Sequence, residues 1–487
     1  MSDTTTARVP KRIASVILNS LKGGVVPRIG LPYVTVGREA EIGALLSDLE
    51  LVADGGASFR FLVGRYGSGK SFLLQTIRNH AMGRNFVVAD ADLSPERRLQ
   101  GGNNQGLATY RELMRNLSTK TRPDGGALTL ILDRWISKLQ TDAALSTGLD
   151  LADSALAQHV ETEILKVVQS MQELVHGYDF ARLLTLYWQS QQNGDDDTKA
   201  QVVRWFRGEF RTKTEAREAL GVNIVIGDDD WYDYLKLFAG FFRQAGYDGL
   251  IILIDELVNL YKIPNAISRQ YNYEKILAMY NDTLQGKAQY LGIIMGGTPN
   301  AIEDRRRGLY SYEALRSRLT HGRFSTEGLA DLLAPVIQLA PLSYEELLIL
   351  IEKLARIHAE YHHYDQRITQ QDMVSFLQLE FGRVGADTHL TPREVIRDFI
   401  ELLDISLQNP QLTVGDIMGS GQLANPVAPS AAGSSSSGPN PSSPSLVSPT
   451  AVSPTAVNPT YTSPTAVNPS GNAADADSED PFAEFTI

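Results

Sequence analysis

The run Gly64-Arg65-Tyr66-Gly67-Ser68-Gly69-Lys70-Ser71 constrains this chain more than any other feature. It follows a short apolar stretch, Phe59 to Val63, and precedes Phe72, Leu73, Leu74, Ile77 and Ala81 at helical spacing. Glycines at these places let backbone N–H groups face an anion with no Cβ in the way. The helix that follows turns its positive end to the same point. Gly-x4-Gly-Lys-Ser between a strand and a helix therefore predicts a cradle for nucleotide phosphates. Gly64 through Phe72 form the loop and first helical turn. Lys70 offers a point charge to the outer phosphates, and Ser71 offers a hydroxyl to magnesium. A chance glycine turn has no reason to sit between an apolar strand and an amphipathic helix.

A second run, Leu250-Ile-Ile-Leu-Ile-Asp255-Glu256, reads as a buried central strand ending in two carboxylates. The C-terminal ends of parallel strands are where such sheets bind ligands. Asp255 there suits magnesium held through water, and Glu256 suits a residue that orients or deprotonates an attacking water. Leu291 to Met295 reads as a further strand, and the Gly-Gly-Thr298-Pro-Asn300 after it brings polar groups to the same edge. Thr298 is the preferred catalytic contact and Asn300 the alternative. The same residues also make good plain turn chemistry. Arg305, Arg306, Arg307, Arg316 and Arg318 could serve a neighbouring subunit's phosphate or simply form a solvated basic face. Arg393 reaches the phosphates if the C-terminal helices fold over the site.

Four regions follow along the chain. Residues 1–57 form an N-terminal helical segment, with Ile13, Val16, Ile17 and Leu21 on one face. Residues 58–340 form an α/β core with a parallel sheet, interrupted at about 105–248 by a long helical insertion. Residues 341–409 form a C-terminal helical lid or winged-helix-like domain. Ser343-Tyr-Glu-Glu346 and Thr391-Pro-Arg-Glu394 are capping boxes there, and Thr369-Gln-Gln-Asp372 is a weaker one. Residues 420–487 read as a disordered tail rich in Ser, Pro and Ala, with Ser-Pro-Thr-Ala-Val starting at Ser448, Ser453 and Ser463. Its acidic tip carries Phe482 and Phe485 among Asp475, Asp477, Glu479, Asp480 and Glu484. It is read as a candidate docking motif or a solubilising tail.

The chain has 487 residues with no cysteine, which excludes disulfides, thiolate metal sites and Cys nucleophiles and fits a cytoplasmic setting. No secretory signal or long apolar run is evident, so no membrane partner is expected. A net charge of -12 argues against a nucleic-acid coat held by a global positive field. Local clusters such as Arg204-Trp-Phe-Arg207 and Arg211-Thr-Lys213 leave a DNA surface open, against ordinary helix-surface charge. The only histidine cluster, Tyr361-His-His-Tyr364, lacks a third ligand at helical spacing and reads as a polar helix patch rather than a metal site.

Taken together, the phosphate loop, the Asp-Glu strand end, the polar strand end after it and the C-terminal helices resemble the AAA+ and STAND-type ATPases. Val36-Gly37-Arg38-Glu39-x-Glu41 resembles the box that lies near the adenine in those proteins. A narrower resemblance is to the ATP-binding family of BREX phage-defence systems, the BrxC/BrxD type. It rests on Ile13 through Glu39, Trp205-Phe-Arg-Gly-Glu209, Ala245-Gly-Tyr-Asp-Gly-Leu250, Tyr312 through Leu319 and Leu390 through Phe399. The resemblance implies an α/β, P-loop AAA+-like fold and a magnesium-dependent ATPase using ATP. It implies other defence-system proteins as partners, action at or near duplex DNA, and a homo-oligomer if an arginine acts in trans. A nucleotide-gated scaffold with little hydrolysis is the alternative.

Overall fold

The computed structural model describes residues 8–149, 154–171, 176–320, 322, 331–382 and 390–423. The acidic tip and the repeats of the tail lie outside them. Within the described residues, five strands form one parallel sheet. They are β1 (Ala57–Val63), β2 (Val87–Asp92), β3 (Leu250–Asp255), β4 (Leu291–Gly297) and β5 (Val336–Gln338), in the order β2-β3-β4-β1-β5. The phosphate-loop strand is thus parted from the Asp-Glu strand by β4. Every residue of β3 and β4 is buried, as their unbroken apolar runs demand. The expected α/β class with a parallel sheet and helical additions is the one found.

The strands outrun their apolar cores. β1 begins at Ala57 rather than Phe59, and β2 runs beyond its apolar Val87-Val88-Ala89 to Asp92, which still pairs in register with Asp255. Arg60 within β1 is buried against Asp48, with Nε and Nη2 each 2.7 Å from a carboxylate oxygen. A lone buried charge would be costly, so the bidentate partner is what lets an arginine sit in a central strand.

Helices cover both faces. On one face, α3 (Glu39–Ala53) and α4 (Lys70–Gly83) pack Leu45, Leu49, Leu73 and Ile77 onto Leu62, Ile251 and Ile294. A short helix, α2 (Leu31–Val34), precedes α3. The other face holds the helical insertion: α5 (Gln105–Arg115), α6 (Leu128–Thr147), α7 (Ser154–Met171), α8 (Gly177–Asn193), α9 (Asp196–Phe206), α10 (Lys213–Leu220) and α11 (Trp231–Gln244). Its centre is aromatic. Phe180 lies 5.0 Å from Phe206 and 4.9 Å from Phe238, and Trp135 meets Phe241 edge-on at 5.0 Å. This core is continuous with the sheet through Val87, Ala89 and Ile252.

Beyond β3 come α12 (Val258–Tyr261), α13 (Ala266–Leu284), α14 (Pro299–Glu303) and α15 (Glu313–Leu319). The C-terminal helices are α16 (Tyr344–His362), α17 (Gln370–Gly382), α18 (Pro392–Gln408) and α19 (Val414–Leu423). No strand occurs among the described residues of 341–409. Both capping boxes form: Ser343 N donates to Glu346 at 2.7 Å and Thr391 N donates to Glu394 at 3.0 Å. Thr369 and Asp372 exchange the same pair of bonds.

The N-terminal segment does not stay together. Ala14, Ile17, Leu18 and Leu21 of α1 (Lys11–Lys22) share an apolar cluster with Leu350, Leu354, Val395 and Phe399. α3 instead belongs to the sheet. Helix α1 therefore belongs to the C-terminal helical unit, and the chain crosses from it to the sheet at the Val-Gly-Arg-Glu box. Spacing on α1 found Ile17 and Leu21 of its buried face, whereas Ile13 and Val16 are only half-buried and Ala14 and Leu18 complete that face. It did not give the partner, which lies more than three hundred residues away, as in the contact of Val9 N with Glu360.

Candidate functional site

At the C-terminal edge of the sheet, β1 turns into the phosphate loop and then α4. Gly67 has φ +81° and Gly69 φ +97°, conformations that L side chains rarely adopt. Gly64 is buried, and a Cβ there would collide with Ser68 Oγ. Ser68 Oγ is itself buried with no hydrogen-bond partner among the described residues. Such an orphaned donor beside a helix N-terminus suits an anion. Lys70 Nζ donates to the carbonyls of Gly64 and Arg65, both at 2.9 Å. Burial lowers the Lys70 pKa and Arg393 adds to this, while Asp255 and Glu256 oppose them.

The carboxylates meet the loop directly. Ser71 Oγ donates to Asp255 Oδ2 at 2.6 Å, and Glu256 N donates to Asp255 Oδ1 at 2.8 Å. Glu256 sits at φ +63°, a left-handed conformation uncommon outside glycine. Such strain concentrates at sites where a side chain must be aimed. Gly296 on the neighbouring β4 leaves room for the Asp255 carboxylate; a Cβ there would strike Oδ1. The Ser71 hydroxyl and the Asp255 carboxylate are hard oxygen ligands already side by side, which fits magnesium.

Tyr66, Gly67, Ser68, Gly69, Lys70, Ser71 and Phe72 line one cleft with Asp255, Glu256, Thr298 and Arg393. The cleft is open to solvent, with a volume of about 1090 Å³ when its mouth is included. Two expected loop residues stand apart. Gly64 lies buried beneath the loop, and Arg65 is exposed outside the cleft, contributing its carbonyl to Lys70. Thr298 stands at the N-cap position of α14 and lines the cleft, whereas Asn300 is exposed and does not. Neither do Arg305, Arg306, Arg307, Arg316 or Arg318. Arg316 pairs with Glu313, and Arg307 stacks on Tyr261 at 5.4 Å.

Sequence reading missed the far wall as a unit. Val25, Val26, Val34, Val36, Leu342 and Leu350 line the cleft, and Ile396 of α18 joins them. They come from three separate stretches of chain, and apart from Val36, which opens the Val-Gly-Arg-Glu box, no local pattern brings them together. Arg38 was read through a resemblance; its geometry is more specific. It is buried and donates to the carbonyls of Ser68 at 3.2 Å and Ala340 at 2.8 Å, while pairing with Glu41 at 3.1 Å. The guanidinium thus ties the phosphate loop to α3 and to the chain leaving β5.

The roof is the start of α18. Arg393 lies over the Tyr66 ring at 5.0 Å, and a Cβ on Gly67 would come within 2.7 Å of Thr391 Oγ1. The loop and the capping box of α18 are therefore in direct contact. A second such contact joins Gly37, at φ +67°, to the Glu346 carboxylate of the other box.

The histidines differ from the sequence reading. His358 and His362 of α16 lie beside Asp404 of α18, with a ligand atom from each within 4.8 Å of the others. No third ligand stands at helical spacing, as expected, but Asp404 comes near through the fold, from a later helix. Of the insertion's basic residues, Arg204 is engaged by Glu215 at 2.7 Å and stacks over Phe210 at 4.7 Å. No helix among the described residues is long and apolar enough to cross a membrane.

No curated protein sequence matches the chain significantly. The sequence model for the BREX system ATP-binding protein BrxC/D matches residues 9–422, which takes in the sheet, the insertion, the cleft and its roof. By this match the chain belongs to the BrxC/BrxD family of ATP-binding proteins of BREX phage defence.

Proposed function

We propose that this protein is a magnesium-dependent ATPase of AAA+/STAND type. The observation that carries it is Ser71 Oγ on Asp255 Oδ2 at 2.6 Å, with Glu256 held at φ +63° directly after. Lys70 and the backbone N–H groups of the loop hold the β- and γ-phosphates. Ser71 and Asp255 would hold the metal. Magnesium bound there with ATP supplies neutralisation of the charge on the transferring phosphoryl group. Glu256 orients the attacking water and accepts its proton. Thr298 donates a hydrogen bond from the end of β4, and Arg393 closes the site from α18.

The work served by turnover lies within BREX defence with other defence proteins, in the cytoplasm and at duplex DNA. A homo-oligomer is part of this reading. Arg305, Arg306, Arg307, Arg316 and Arg318 all lie outside the cleft of their own chain, and a contact in trans would draw on one of them. The second reading is a nucleotide-gated switch with little hydrolysis. The contact of Thr391 with Gly67 favours it, because loop occupancy would then bear on the roof whether or not ATP is cleaved.

Steady-state ATP turnover by purified protein, with and without duplex DNA, separates the two. The ATPase reading expects magnesium-dependent turnover abolished by Glu256→Gln with ATP binding retained. ATP binding with no turnover under any condition would leave the switch.

A further inference from the structure

We propose that His358, His362 and Asp404 form a binding site for a divalent transition ion of zinc type, outside the nucleotide cleft. His358 and His362 stand four residues apart on one face of α16, their ring centroids 4.4 Å apart. Asp404 comes from α18, and a ligand atom from each of the three lies within 4.8 Å of the others. Two imidazoles and one carboxylate suit a zinc-type ion and leave positions open for water.

The surroundings are those of a ligand set. His358 is 1% exposed, with Nε2 3.0 Å from Asp404 Oδ1 and Nδ1 2.9 Å from Tyr364 Oη. Lys22 Nζ donates to Asp404 Oδ2 at 2.5 Å. His358 and Asp404 thus each have an outer partner of the sort that orients metal ligands. Lys22 holds the outer carboxylate oxygen and leaves Oδ1 to the ion. Tyr364 can accept from Nδ1–H, which frees Nε2. When the ion takes the Nε2 lone pair, a ring proton on Nε2 moves to Nδ1 and is donated to Tyr364; no proton is lost and His358 stays neutral.

Metal–nitrogen bonds of about 2.0–2.1 Å require His362 to swing inward. Its side chain is exposed, so it can do so, and that side is the entry path. A bound ion would staple α16 to α18 beside the end of α1. It would fix the helix whose first turn carries Thr391 and Arg393 over the phosphate loop.

Cobalt(II) titration of the full chain, followed by its visible absorption and displaced by zinc, tests this. The expected result is one ion bound per chain, with affinity lowered about tenfold or more by His362→Ala and by Asp404→Asn. Asp255→Asn should leave the signal intact, which separates it from the nucleotide metal. Zinc should raise the thermal unfolding midpoint of the wild type but not of His362→Ala. Since His362 is exposed, that variant keeps its fold. No binding by the wild type, or a signal indifferent to both His362→Ala and Asp404→Asn, overturns the proposal and leaves a hydrogen-bond network alone.

Discussion

The two halves of the cleft are built on opposite plans. The phosphate half is polar and local: Lys70 and Ser71 open α4 and Asp255 and Glu256 stand at the end of β3, fixed by bonds of 2.6–2.9 Å. The far half is apolar and dispersed. Val25, Val26, Val34, Leu342, Leu350 and Ile396 meet there only because α1, α16 and α18 share a core. One half is specified by chemistry at fixed spacing and the other by packing. Charge placed to within a few tenths of an ångström tolerates little substitution, whereas an apolar wall tolerates volume-conserving change.

This contrast can be broken experimentally. The largest effect is expected at Glu256, where Gln should cut turnover by roughly 10²–10⁴-fold while ATP still binds, measured by phosphate release and by calorimetry. Lys70→Ala should weaken triphosphate binding by about 1.5–3 kcal/mol, read as ATP affinity, and leave adenosine binding unaltered. Ile396→Ala should do the reverse. It should cost about 1 kcal/mol for ATP and adenosine alike and nothing for tripolyphosphate, as competition binding would show. Equal losses for all three ligands would mean the halves are not separable. The smallest effect is expected for Arg393→Ala, about 0.5–1 kcal/mol from the contact with exposed Tyr66. A larger loss confined to ATP over ADP would move Arg393 into the phosphate half.

The same contrast governs what the sequence discloses. Gly64 to Ser71 and Leu250 to Glu256 are contiguous, so their chemistry and their strand-end placement can be read directly. Both capping boxes were legible for the same reason. The apolar wall was not, because Val26 and Ile396 carry no signal apart from being apolar and meet only in the fold. Arg38 shows the middle case. Its box marks it, yet its two carbonyl partners, Ser68 and Ala340, depend on how β1 and β5 leave the sheet. Asp404 lies wholly beyond local reading. Helical spacing relates His358 to His362, but no periodicity relates either to a residue on α18.

The strand order carries a consequence for synthesis. β1 has two neighbours, β4 and β5, and both are made after it. The strand bearing the phosphate loop therefore waits without a partner while the entire helical insertion is translated, through to Leu291. At about 5–20 residues per second that delay is on the order of ten to fifty seconds. Phe59, Phe61, Leu62 and Val63 would be open to wrong pairing throughout, while the aromatic centre of the insertion can already collapse on itself. A nascent chain halted before Leu291 should thus hold a folded insertion yet fail to retain nucleotide, and chaperone demand should peak in that interval.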